Sequence, residues 1–356
     1  MNRTIKSKLF CKNNFRFIKG EVDLGKDKLQ KEILKIVHSY VKNRNHLVLS
    51  IGVLNKDETA TFLYAGSDVS LEEENKPFIY EIGSISKVFT TTLLGEMIQD
   101  GILSEDDSIG QYIPKLSDKH PVTLKHLANH TSGLPALGLR KSTANLFSSK
   151  TPRDPYCLFS LNEVIQYFDK HPKEPKLKYR YSNAGMGTLG NILATRLNTD
   201  YEQAIKKRVS ERLGMEDTFI TVPLKKQNRL LKGYDVKGKE QPPLIMNEFM
   251  GAGAVRSTVN DMLLFLKAHM NSETKAYQLT HQPSVEIAKN TSVGLGWILE
   301  DETIWHNGST QGFSSFIGFE KKRHLGVVIL SNYRSRLFTI NPDQIGTDIL
   351  QLLRTI

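Results

Sequence analysis

The chain has 356 residues, 39% of them hydrophobic, enough apolar material for a sizeable core in one large domain or two intimately joined ones, so a small scaffold held by staples is excluded. Its two cysteines, Cys11 and Cys157, stand far apart with no metal-like spacing, which excludes a zinc framework, a disulfide-rich secreted domain and thiol chemistry. The formal charge of +10 is concentrated at one end: residues 1–44 hold 12 Lys/Arg against four Asp/Glu, while the rest holds 36 against 34, so no basic surface for reading nucleic acid is expected.

The first twenty residues carry six basic and no acidic side chains. A signal peptide would follow them with about 7–15 apolar residues, but Leu9-Phe10-Cys11 runs straight into Lys12. Residues 1–25 are therefore read as a solvated basic tail, with a weak contact to an anionic surface as its partner role. On this reading the chain is cytoplasmic, or extracytoplasmic if an export segment is missing from it. No run of about 18 apolar residues predicts a transmembrane helix. Between Gly25 and Arg44, the residues Leu29, Ile33, Leu34, Ile36, Val37, Tyr40 and Val41 recur at helical spacing and predict an amphipathic opening helix. His46–Leu54 and Thr59–Ala65 flank Asn55-Lys56-Asp57-Glu58 and predict a β-hairpin.

Glu81 to Gly101 reads as a buried helix beginning near Ser84, with Leu93, Leu94, Met97 and Ile98 along it. Residues 107–275 are mostly helical in period, with loops over Lys141–Pro155 and Lys173–Lys178. Short strands are expected at Val293–Leu299, Thr303–Trp305, Ser314–Phe319 and Leu325–Asn332, and Pro342–Leu353 predicts a closing helix with proline at an early position. The expected fold class is α+β: an antiparallel sheet flanked by helices, built from 26–106 plus 276–356, with an inserted mostly helical domain over 107–275. A cleft between two such parts is a common place for a small-molecule site.

Three short motifs carry chemistry. Ser84 and Lys87 are three apart at a helix start, so the amine can reach the hydroxyl, and the helix N-terminus favours an oxyanion forming beside it. A lysine serves as base for serine only when burial or like charge lowers its pKa from about 10.4. Tyr181, in Tyr181-Ser182-Asn183, can share one proton with Lys87, and Asn183 can donate to a substrate amide carbonyl and accept from Lys87. In Trp305-His306-Asn307-Gly308-Ser309, Gly308 allows close approach of substrate, the N–H of Ser309 suits a second oxyanion donor, and His306 offers a donor or a cation to a substrate carboxylate. Taken singly, each motif also fits a bland role: a helix N-cap, a buried tyrosine before a turn, an edge-strand histidine. His126 and His130, four apart, lack a third ligand and are read as structural, so no metal and no cofactor is expected.

In this order and at these separations, Ser84-x-x-Lys87, Tyr181-x-Asn183 and His306-x-Gly308 resemble the class C β-lactamase family and its relatives, the DD-peptidases, penicillin-binding-protein-like hydrolases and certain esterases. Two further stretches share the likeness, Thr123–Pro135 and Gly251–Thr258 with Asp261-Met262, so that it spans about residues 30–355. The resemblance implies a helical domain inserted into an α/β domain, Ser84 as nucleophile, Lys87 and Tyr181 as general acid and base, and Asn183 as binder of the substrate's amide side chain. It also implies the N–H groups of Ser84 and Ser309 as oxyanion hole. The expected substrate is a small molecule or short peptide of β-lactam or D-alanyl type. An ester on the same machinery, or a penicillin-binding sensor that does not turn over, are the alternatives. True class C enzymes usually carry Lys-Thr-Gly where this chain has His306-Asn307-Gly308, a variant resembling the DD-peptidases and penicillin-binding-like hydrolases.

Overall fold

The computed structural model describes residues 15–19, 24–69, 77–135, 160–271, 273–335 and 340–356. The loop expected over Lys141–Pro155, both cysteines and the tail before Phe15 lie outside the described residues. Strand β1 (Phe15–Lys19) and helix α1 (Leu24–Val41) precede the expected hairpin, β2 (Val48–Asn55) and β3 (Glu58–Gly66). The two-residue strand β4 (Tyr80–Glu81) leads through a 3-10 turn at Gly83–Ile85 into α2 (Ser86–Gln99). The middle of the chain contributes α3 (Leu124–Ala128), α4 (Leu161–Lys170), α5 (Asn183–Arg196) and α6 (Tyr201–Ile205). After the small pair β5 (Gly233–Tyr234) and β6 (Glu240–Gln241) come β7 (Arg256–Ser257), α7 (Val259–Met270) and α8 (Lys275–Thr280). Strands β8 (Val285–Ala288), β9 (Thr291–Val293), β10 (Ile298–Glu300), β11 (Thr303–Ser309), β12 (Ser314–Glu320) and β13 (Leu325–Ser331) then lead to α9 (Pro342–Leu353).

One antiparallel sheet runs in the order β1-β3-β2-β13-β12-β11-β10-β9-β8, joining strands from both ends of the chain. Its central strands β2, β13 and β12 are buried at nearly every position and mostly apolar, because both faces are covered. In β13, Val327 and Ile329 pack with Ile33 and Val37 of α1 and Ile345 and Ile349 of α9, while Val328 and Leu330 join the core under α2 and α7. Ile345 and Ile349 are wholly buried, which is worth about 1.5–3 kcal/mol each. Asn341 starts α9 by accepting from Gln344 N–H at 3.0 Å, and Pro342 occupies the first turn, where its missing N–H costs nothing.

Two readings of the sequence need correction. The tail expected over 1–25 contains β1, which completes the otherwise unpaired edge of β3 with Phe17 opposite Tyr64; residues 20–23 lie outside the described residues. The single strand expected over Val293–Leu299 is two strands, because Gly296 takes φ +78° and turns the chain between β9 and β10. Helix α7, which falls within 107–275, packs Leu263 and Leu266 on Gly52 and Gly326 of the sheet itself. Helix α2 is buried along nearly its whole length, and its core is continuous with that of α5 and of the inner sheet face. Among the described residues no helix is long and apolar enough to cross a membrane.

Candidate active site

Two glycines bring the turn before α2 against strand β11. Gly83 has φ +52°, and a Cβ there would stand 2.8 Å from Ser309 N. A Cβ on Gly308 would stand 2.0 Å from Ile82 O, a contact no side chain tolerates. The approach is fastened by Ser315 Oγ, which donates to Ile82 O at 2.8 Å. On the other side, Ile82 N–H donates to Val255 O at 3.2 Å and Val255 N–H to Ser86 Oγ at 3.0 Å. Ser84 is thus held from two sides, with the backbone of Ser309 beside it.

The helix expected to begin near Ser84 begins at Ser86, with Ser84 in the preceding 3-10 turn. The separation of three residues still serves. Lys87, in the first turn of α2, places Nζ 2.9 Å from Ser84 Oγ and donates to Ala252 O at 2.6 Å. No part of Lys87 is exposed, and burial pushes its pKa well below 10.5, because a charged amine here would lose its hydration. Tyr181 reaches the same oxygen, its hydroxyl donating to Ser84 Oγ at 2.6 Å, and Lys87 Nζ stands 4.8 Å from the centre of its ring. Two groups, one three residues along the chain and the other 97, therefore converge on the serine oxygen.

Asn183 is the first residue of α5, half-buried, two residues beyond Tyr181. Ser182 caps that helix, accepting from Gly185 N–H at 3.0 Å and donating to Pro135 O at 2.9 Å. His306 lies on the inward face of β11, with Ile304 and Gly308, and is 3% exposed. Its Nδ1 is 2.5 Å from Asn307 O; a carbonyl only accepts, so Nδ1 carries the ring's proton. Burial, and next the charge of Lys87, push its pKa down to about 3 against the pull of that hydrogen bond. The standing cation that the motif suggested for a substrate carboxylate is therefore absent from the resting site: His306 is neutral, with Nε2 unprotonated.

His126 and His130 have separate tasks. His126 Nδ1 accepts from Thr123 N–H at 3.0 Å and closes the capping box of α3; His130 Nδ1 accepts from Ser182 N–H at 3.2 Å. The sequence reading missed the Ala252 carbonyl, the lysine's second partner, because a backbone acceptor has no residue type to announce it. It also passed over Ser86 and Thr90, which fasten α2 to the 251–255 segment through Val255 N–H and Gly251 O.

The family model for Beta-lactamase matches residues 33–345, nearly the whole chain. The chain belongs to the beta-lactamase family. As such it is a serine hydrolase. A beta-lactamase of Providencia stuartii is 30% identical over 277 residues, covering 75% of this chain and 65% of its own length. A beta-lactamase of Psychrobacter immobilis is 25% identical over 358 residues, covering 86% and 84%. The solved structure of a beta-lactamase/D-alanine carboxypeptidase from Pseudomonas syringae superposes with a TM-score of 0.76 at 22% identity, covering 92% of this chain and 99% of that one. A class C beta-lactamase in complex with cefoxitin gives 0.77 at 22%, covering 94% and 100%. These two likenesses are of fold: a serine β-lactamase/DD-peptidase architecture with an antiparallel sheet and flanking helices.

Proposed function

We propose that this member of the beta-lactamase family hydrolyses β-lactam or D-alanyl-type amides through an acyl-enzyme on Ser84. The observation that carries the reading is the convergence of Lys87 Nζ and Tyr181 Oη on Ser84 Oγ. A buried amine with a lowered pKa, coupled to a phenol, can take the serine proton as Oγ attacks the substrate carbonyl. The oxyanion then lies between the N–H groups of Ser84 and Ser309. As the tetrahedral centre collapses, the C–N bond breaks and the departing nitrogen takes the proton from the Tyr181–Lys87 pair. Water attacks the ester that remains, giving its proton to the same pair, and Ser84 leaves with that proton restored. Asn183, two residues beyond Tyr181, is assigned to the substrate's amide side chain. The curated relatives named as beta-lactamases support the β-lactam half of this reading.

A neutral His306 favours a second reading, an esterase on the same groups, since an uncharged ester needs no cation. Ser84→Ala should abolish the covalent adduct formed with a fluorescent penicillin, read by intact mass, and cut turnover by up to roughly 10⁶-fold with the fold retained. An adduct that persists, or that maps to Ser132 or Ser182, would overturn the assignment. Comparing short-chain nitrophenyl esters with D-alanyl peptides in the unaltered enzyme separates the two readings.

A further inference from the structure

We propose that His130 is a positioning residue for Tyr181, holding the phenol on Ser84 from both sides of the chain; this rests on the reading of Tyr181 as proton carrier. His130 O accepts from Arg180 N–H at 2.8 Å, and its Nδ1 accepts from Ser182 N–H at 3.2 Å. One residue thus takes the N–H groups immediately before and after Tyr181. Its ring lies 4.7 Å, centre to centre, from the ring of Tyr181 and edge-on to Tyr179 at 5.8 Å. The chain reaches this position with His130 at φ +63°, a left-handed conformation that residues with a Cβ rarely adopt.

The bracket works only with an unprotonated Nδ1, and the surroundings keep it so. His130 is 1% exposed, and burial first, then the charge of Lys87, hold its pKa well below 6.5. With Nδ1 accepting, the proton of the neutral ring is on Nε2, which is buried and finds no hydrogen-bond partner among the described residues. The fold leaves that N–H unmatched and keeps the acceptor turned towards Ser182. Tyr181 has one hydroxyl to place within 2.6 Å of Ser84 Oγ, and a displacement of about 1 Å at such a group can cost about 100-fold in rate.

Two substitutions separate positioning from mere support. His130→Gly removes the acceptor and the ring without penalising φ +63°, whereas His130→Asn supplies an amide oxygen where Nδ1 stood and tolerates the same backbone. Acylation by a fluorescent penicillin and hydrolysis of p-nitrophenyl acetate are measured for each, alone and combined with Tyr181→Phe, with thermal unfolding as the check on folding. The glycine variant should lose about 10- to 100-fold in kcat with KM nearly unchanged, and the asparagine variant should recover most of the rate. In the Tyr181→Phe background the glycine change should add almost nothing, because the group it positions is gone. Losses that multiply would overturn the proposal, as would an asparagine variant that folds but stays as slow as glycine. A Tyr181→Phe enzyme with the unaltered rate would overturn the reading of Tyr181 itself, and this proposal with it.

Discussion

At the scale of single residues, burial changes what a side chain offers: His306, read from the sequence as a donor or a cation, is neutral in the fold. Ser84, Lys87 and Tyr181 stand at spacings that have few other uses in combination, and the structure brings the amine and the phenol to one oxygen, whereas the room at Gly308, read as space for substrate, is taken by the close approach of Ile82 O. The protonation of His306 was not legible, since it depends on a neighbour 219 positions away in the chain, Lys87, and on a hydrogen bond to the next carbonyl. If His306 holds a substrate carboxylate, it must first take a proton from solution. Its charged fraction rises about tenfold for each pH unit below neutrality while pH stays above its pKa of about 3. The ratio of kcat/KM for a carboxylate-bearing substrate to that for a neutral ester should therefore climb as pH falls from 8 to 6. In His306→Ala the same ratio should drop by about 10- to 150-fold, the equivalent of about 1.5–3 kcal/mol for a charge-assisted bond. A ratio that stays flat with pH in the unaltered enzyme would assign the carboxylate to another group.

At the scale of elements, α2, α7 and the segment after α8 share a chain of buried polar groups. Thr92 Oγ1 donates to Val88 O at 2.6 Å, so it accepts from His269 Nε2 at 2.9 Å. His269 Nδ1 then accepts from His281 Nε2 at 3.0 Å. Both rings are neutral: burial, and then the charge of Lys321, push His269 down to about 3, and burial, with the charge of Lys321 and the repulsion that two protonated rings would feel, holds His281 well below 6.5. The sign follows from linkage. Above pH 6.5 neither the folded nor the unfolded chain protonates these rings, and their stability is fully present. Below it the unfolded chain takes up protons that the folded chain refuses, and stability is lost, about 2 kcal/mol per histidine by pH 5. Denaturant midpoints should fall between pH 7 and 5, and His281→Gln should make that fall shallower by about one proton's worth. An unchanged slope would mean that the pair stays charged in the fold. Nothing in the sequence pointed to this pair, because two histidines 12 apart on separate elements have no spacing to recognise. The helices that carry the rest were clearer: α1 and α9 show one apolar stripe each, while α2, buried all round, shows only where a helix lies and not what it touches.

At the scale of the whole molecule, the antiparallel sheet and its flanking helices were readable from strand composition at both ends of the chain. The joining of those ends was an expectation of simplicity that β2 and β13 fulfil by pairing. The edge strand β1 was missed because Phe15-Arg16-Phe17-Ile18-Lys19 reads as part of a basic tail until a partner edge is present. Closure of the sheet by α9 is secured by a buried charge. Glu320, at the end of β12 and wholly inaccessible, accepts from Arg354 Nη2 at 2.7 Å and from Arg323 Nη1 at 3.0 Å. Arg354→Met removes one partner and leaves the half-exposed Arg323, so a loss of about 1.5–3 kcal/mol in unfolding free energy is expected. The acylation rate of the folded enzyme should not change. A midpoint in urea that stays in place would show that α9 holds through its apolar face alone.

The pairing of β2 with β13 also governs when the sheet can exist at all. Leu325 pairs with Asn55, 270 residues earlier in the chain, and Ser331 with Leu49. During synthesis the hairpin β2–β3 therefore emerges with one edge of β2 unsatisfied, and about 15–50 s pass at 5–20 residues per second before its partner is made. That edge belongs to a strand apolar on both faces, the kind of surface that invites pairing with another chain. The hydrolase site has the same dependence, since Ser84 is made early while the β11 backbone that lies against its turn is made more than 220 residues later. A chain arrested before β11 therefore has Ser84, Lys87 and Tyr181 without the strand that faces them.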